Sequence, residues 1–132
     1  MTPEELVDQA RVAQRLSYSP YSHFAVGAAL LCKNGKVYFG ANVENSSYGL
    51  SMCAERNAVY HALMEGESPD DFEALALIGD TPEPISPCGA CRQVLSEFCP
   101  KDMPIYMASE NGQIYQSNIE DLLPYAFEGD VL

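Results

Sequence analysis

The sequence predicts an α/β fold in a single domain, residues 1–132, with a sheet sandwiched between layers of helix. Three observations lead there. Helical and strand-like segments interleave along the chain, and two of the strand-like segments are apolar on both faces, as strands covered from both sides are. No internal repeat, low-complexity run or interdomain linker interrupts the pattern. A length of 132 residues with 47% apolar content suits one domain that buries roughly two-thirds of its unfolded surface.

The elements follow in order. "TPEELVDQARVAQRLS" is a helix that Thr2 can cap, with Pro3 at its first position and Glu5 where a capping box places its acid. Leu6, Ala10, Ala13 and Leu16 recur at helical spacing as its buried face. "SYSPYSHF" is a loop. "AVGAALLC" and "KVYFGA" form a hairpin around Asn34-Gly35, the first strand central and the second carrying Val37 and Phe39 on one face. After the polar loop "NVENSSYG", a second helix runs from Cys53 to about Glu65. "FEALALIG" is a strand, and the proline-rich "DTPEPISP" leads to a third helix from near Cys88 to Pro100. "MPIYMA" and "QIYQS" make a second hairpin, and "SNIEDLLP" a short capped helix.

Charge narrows the function. Lys and Arg number 7 against 19 Asp and Glu, a formal charge of −12. Such a surface repels phosphate backbones and anionic membranes, so neither nucleic acid nor membrane is an expected partner. A small ligand without much negative charge is easier to hold. The longest apolar run, Phe24 to Cys32, is too short to span a bilayer. The first twenty residues carry Glu4, Glu5, Asp8, Arg11 and Arg15 and lack a secretory pattern, so a reducing, cytoplasmic setting is expected. Five cysteines, an odd count, then suit metal ligation or catalysis better than a disulfide framework.

Cys88 and Cys91 form "PCGAC" at a helix mouth, which alone reads equally as a redox dithiol or half of a zinc site. Cys53, also at a helix start, favours the metal: two helix dipoles converging on one cation would keep three thiols ionised. Cys32 and Cys99 read as packed apolar residues, and neither His23 nor His61 has ligand spacing. The fourth position is left open, as in a catalytic zinc site. Glu55 is then placed to shuttle protons. Arg56 and Arg92 are expected to donate to the sulfurs and temper the negative charge of three thiolates; read blandly, they are surface ion-pairing residues. Glu55 alone would be an acid favoured by a helix's first turn.

Cys-Ala-Glu followed by Pro-Cys-x-x-Cys is the three-cysteine form of the zinc deaminase signature. Together with "YSPYSHFAVGAALL", "GANVENSSYGLSMCAERNAVYHA", "SPCGACRQVLSEF" and "LLPYAF", the chain resembles the small homotetrameric cytidine deaminases of pyrimidine salvage, from its first helix to its tail. The resemblance implies a three-layer α/β/α sandwich with a mixed five-stranded sheet. It implies one Zn2+ per subunit on Cys53, Cys88 and Cys91, with water activated there attacking C4 of the cytosine ring. Glu55 would protonate N3 and help expel ammonia, giving uridine or 2′-deoxyuridine. Asn42 and Glu44, otherwise ordinary polar loop residues, would hold the ribose hydroxyls. Phe24 would pack on the nucleoside, and the Ala54 N–H would meet the base carbonyl. Tyr48 of "SSYG" and Phe127 would complete the pockets of neighbouring subunits in a homotetramer. His23 and Ala25, where relatives more often carry lysine and proline, depart from the pattern beside Phe24. Rival readings are a deaminase of an antibiotic such as blasticidin S, a polynucleotide deaminase, disfavoured by the charge, and a non-catalytic structural zinc or redox module.

Overall fold

A computed structural model of the chain describes residues 1–129; residues 130–132, the end of the expected domain, lie outside the described residues. Helix α1 (Pro3–Gln14) begins with the capping box: the Glu5 N–H donates to Thr2 Oγ1 at 3.1 Å, and the Thr2 N–H to the Glu5 carboxylate at 3.2 Å. Its buried face is Leu6, Val7, Ala10 and Ala13. Leu16, expected on that face, is instead 66% exposed. The helix ends at Gln14, and the chain turns away to bridge Tyr18 to Val43, so Leu16 has left the helical register before it could reach the sheet.

Strands β1 (Val26–Cys32), β2 (Val37–Ala41), β3 (Phe72–Gly79), β4 (Ile105–Ala108) and β5 (Ile114–Ser117) form one sheet in the order β2-β1-β3-β4-β5. Both hairpins, β1–β2 and β4–β5, turn through a glycine in the left-handed region, Gly35 (φ 89°) and Gly112 (φ 91°), where a side chain would be strained. β1 and β3 are antiparallel, while β3 and β4 are parallel and joined across helix α3 (Gly89–Phe98). The sheet is therefore mixed.

Alternation along the central strands sorts the core into two layers. Ala28, Leu30, Leu75 and Leu77 pack with Ala58, Val59 and Ala62 of helix α2 (Ala54–Met64) and Leu95 of α3. Ala29, Leu31, Ala76 and Ile78 pack with Leu6, Val7 and Ala10 of α1. Each fully buried leucine contributes about 1.5–3 kcal/mol relative to an exposed one, so both faces need their helices. The short helix α4 (Ile119–Leu122) adds Ile119 to the α2–α3 layer. The result is the three-layer α/β/α sandwich.

Two glycines set how closely the helices sit. A Cβ on Gly27 would lie 2.1 Å from the Ala10 carbonyl oxygen, and one on Gly40 would lie 2.2 Å from that of Ala54 and 2.4 Å from the Ala58 nitrogen. α1 and α2 thus rest directly on strand backbone. For α2 the contact is at its first turn, which is where the site begins.

Candidate active site

The two helix mouths meet through their cap residues. Cys53 is the N-cap of α2 and Cys88 the N-cap of α3, both extended, and neither thiol bonds to its own helix's free N–H groups. Their sulfurs face each other at 3.8 Å, and Cys91, in the first turn of α3, brings a third sulfur within 4.8 Å of both. Two sulfurs each about 2.3 Å from a tetrahedral ion stand about 3.8 Å apart, so the observed spacing fits zinc. Among the described residues no fourth His, Cys, Asp or Glu joins the trio.

The sulfurs are electrostatically unequal. Hydrogen bonding from Cys91, working against burial and aided by Arg56 and Cys88, lowers the Cys53 thiol to about 5. Cys91 is driven the other way by sharing its proton with Cys53 and by burial. Cys32 and Cys99 lie apart from the trio in the core, their thiols pushed up to about 12, chiefly by burial, and they serve as small apolar residues. His61 sits against the Tyr38 ring and the Phe39 carbonyl, away from the cluster.

Glu55 is the second residue of α2 and only 4% exposed. Desolvation pushes its carboxyl up to about 7, with the neighbouring Cys53 adding to the rise. The two arginines part company. Arg56 Nη2 donates to Cys53 Sγ at 3.4 Å, and its buried Nε has no partner among the described residues. That unmet positive donor suits a site that gathers negative charge. Arg92, expected on the sulfurs, donates instead to the carbonyls of Pro87 and Leu122, both at 2.8 Å, and to Ser86 Oγ. Its position one residue past Cys91 directs it along α3 toward the preceding loop and α4, so it ties down the approach to the helix and does not temper the sulfurs.

A cavity of about 560 Å³ opens over this mouth. Phe24, Asn42, Glu44, Ala54 and Glu55 share it with Cys53 and Cys88. Its other lining residues, to which no motif assigns a role, are Val26, Ser51 and Met52 and, from the loop after β3, Pro84, Ile85 and Ser86. The proline-rich run after β3 was the available signal for the latter. A smaller cavity, about 370 Å³ beside Tyr125, holds no metal-ligating cluster.

The wall facing the metal cluster is knitted from loops. Val43 exchanges two backbone hydrogen bonds with Met52 (2.9 and 3.0 Å), and Tyr18 bonds to Asn42 and Glu44 on either side of it. Asn42 Nδ2 donates to the Phe24 carbonyl at 2.8 Å, while its Oδ1 accepts from the Val26 N–H and from Ser17 Oγ. Glu44 Oε1 accepts from the Tyr21 and Ser22 N–H groups, and Oε2 from the Ser22 hydroxyl. These bonds, the Ser22 hydroxyl foremost, hold the Glu44 carboxyl below the usual range. Tyr48 (76% exposed) and Phe127 (58% exposed) stand outside this chain's own cavity.

Residues 1–107 match the family model described as the cytidine and deoxycytidylate deaminase zinc-binding region. The chain belongs to that family. It is 46% identical to a cytidine deaminase of Sporosarcina psychrophila over all of this chain and 96% of the relative. A cytidine deaminase of Halalkalibacterium halodurans is 47% identical over 98% of this chain and 97% of its own length. The crystal structure of cytidine deaminase from Burkholderia pseudomallei superposes with a TM-score of 0.94 at 46% identity, covering 96% of this chain and 100% of that one. The family's zinc-binding character agrees with the cysteine cluster, and the mixed sheet and helical layers are those of its solved members. No helix among the described residues is long and apolar enough to cross a membrane.

Proposed function

We propose that the protein hydrolyses cytidine and 2′-deoxycytidine to uridine and 2′-deoxyuridine with release of ammonia, using one zinc ion per subunit. One observation carries this reading: a three-sulfur cluster, through Cys53 and Cys88, and a buried carboxyl open into the same nucleoside-sized cavity. Cys53, Cys88 and Cys91 are the residues that would hold zinc, and the ion's chemistry there is to make bound water a nucleophile near neutral pH.

The chain's own groups do the rest. Glu55, buried and poised near neutrality, takes a proton at its carboxylate and delivers it to N3 of the ring, then to the departing amino group. The Ala54 N–H, at the first position of α2, has no partner within the helix and is available to the base carbonyl. Phe24 packs on the nucleoside, and Asn42 and Glu44 bind the sugar hydroxyls. Asn42, already bonded on both sides of its amide, acts as much by holding Phe24 and Val26 in place as by reaching the sugar. A nucleoside phosphate would meet the Glu44 carboxylate and a chain of net charge −12, which favours the uncharged nucleoside.

A homotetramer in which Tyr48 and Phe127 complete neighbouring pockets is part of this reading, and both are exposed and outside the cavity of their own chain. Pyrimidine salvage in the cytoplasm is the setting that suits this activity. The test is to mix the purified protein separately with cytidine, deoxycytidine and blasticidin S, with and without a zinc chelator, and to follow product by chromatography. Deamination of the first two, abolished by the chelator, is expected. Turnover of blasticidin S alone would reassign the substrate, and no turnover of any would leave a structural zinc module.

A further inference from the structure

We infer that Ser22 is a positioning residue for sugar recognition, its hydroxyl fixing the Glu44 carboxylate and the Phe24 backbone in one arrangement. The inference rests on the reading of Glu44 as a sugar-binding group. Ser22 Oγ works in both directions: it donates to Glu44 Oε2 and accepts from the Phe24 N–H at 3.0 Å. One hydroxyl therefore links the carboxylate proposed to hold the sugar to the residue proposed to pack on the nucleoside.

The loop around it is shaped for this. The Tyr21 and Ser22 N–H groups converge on Glu44 Oε1 at 3.0 and 3.1 Å, a concave pair of amides of the kind that cradles anions. Successive amides can point at one atom only where the chain curls. Here the curl is closed by the His23 N–H bonding to the Ser19 carbonyl at 3.0 Å, with His23 itself at φ 57°.

The clamp fills most of the carboxylate's acceptor positions. An ionised carboxylate has about four lone-pair directions, two on each oxygen. The two amides occupy those of Oε1, and the Ser22 hydroxyl takes one of the two on Oε2. About one direction remains for a sugar hydroxyl, and Ser22 decides which. Without its hydroxyl, Oε2 has two open directions, and the Phe24 N–H loses its acceptor. Nothing local in the sequence marks Ser22, which lies in "YSHF" twenty-two positions before Glu44.

The experiment is a kinetic cycle on the zinc-loaded enzyme with Ser22→Ala, Ser22→Thr, Glu44→Gln and the Ser22→Ala/Glu44→Gln double variant, using cytidine and 2′,3′-dideoxycytidine. Ser22→Ala is expected to raise KM for cytidine about tenfold, the size of one hydrogen bond to a charged group, with kcat and zinc content unchanged. Ser22→Thr, which keeps the hydroxyl, should restore KM. The double variant should lose less than the sum of the two single losses, and on the dideoxynucleoside Ser22→Ala should lose much less than on cytidine, the remainder being the acceptor lost by the Phe24 N–H. Raised KM in Glu44→Gln with wild-type KM in Ser22→Ala would overturn the role of Ser22 alone. Wild-type KM in Glu44→Gln would remove the sugar role of Glu44 and this inference with it. Equal damage on the dideoxynucleoside, or additive losses in the double variant, would mark general loop distortion and overturn the clamp. Ser22 is exposed, so folding is not expected to suffer; Ser22→Cys, which keeps the size and weakens the donor, gives a second reading of the same comparison.

Discussion

The cavity has two walls built on different principles. The metal wall is made by the ends of α2 and α3, with Glu55 and Cys91 buried and the first turn of α2 pressed onto strand backbone at Gly40. The opposite wall is made by loops, with Asn42 and Glu44 only partly buried and fixed by hydrogen bonds from Ser17, Tyr21, Ser22 and Val26. The first gains its rigidity from packing that the whole core enforces. The second gains it from a few local bonds. Changes to the metal wall should therefore act on chemistry and stability together, whereas changes to the loop wall should act on binding alone.

The largest effect expected is from Cys88→Ser. With one sulfur of three replaced by a poor zinc ligand, the protein should lose stoichiometric zinc and measurable turnover, as metal analysis and a product assay will report. Gly40→Ala is next. Its methyl group would overlap the Ala54 carbonyl, so backbone must shift, costing about 1–3 kcal/mol of stability. Because that turn carries Cys53 and Glu55, kcat should fall as well; a lower thermal midpoint with unchanged kcat would break the proposed link between α2 seating and chemistry.

Smaller effects separate the walls further. Glu44→Gln should raise KM for cytidine about tenfold while zinc content and kcat hold; a fall in zinc would show the walls to be coupled. Smallest on the chemistry is Arg92→Gln. Its bonds go to Pro87, Leu122 and Ser86, so the thermal midpoint should drop while kcat stays within about threefold. Arg56→Gln, which removes a donor from Cys53, should reduce kcat more than Arg92→Gln does. The reverse order would restore the sulfur-tempering role to Arg92.

What could be read from sequence follows the same division. The metal wall is legible because few residue types can hold a soft cation, so Cys53, Cys88 and Cys91 stand out against everything around them. Strand and helix order were legible from the two-sided apolar strands and the Asn-Gly turn at Asn34-Gly35, and the capping box at Thr2 marked where α1 begins. Leu16 misled because helical spacing continues in sequence after the helix has ended in space. Gly27 and Gly40 gave no warning, since a glycine needed for close approach looks like any other until the opposing helix is seen. Arg56 and Arg92 follow their motifs alike in the chain, yet only the tertiary arrangement sends one to sulfur and the other to carbonyl oxygens. The loop wall was opaque for a related reason: Ser17, Ser22 and Asn42 are ordinary polar residues whose value lies in partners far off in sequence.

The most direct measurement of the central claim is zinc content and cytidine turnover determined together on Glu55→Gln. This variant keeps the shape of a buried side chain that is no metal ligand while removing its capacity to carry a proton. One zinc per chain with turnover reduced about 10²–10⁴-fold is the expected result. Full zinc with near wild-type turnover would contradict the claim that Glu55 moves the proton beside the metal.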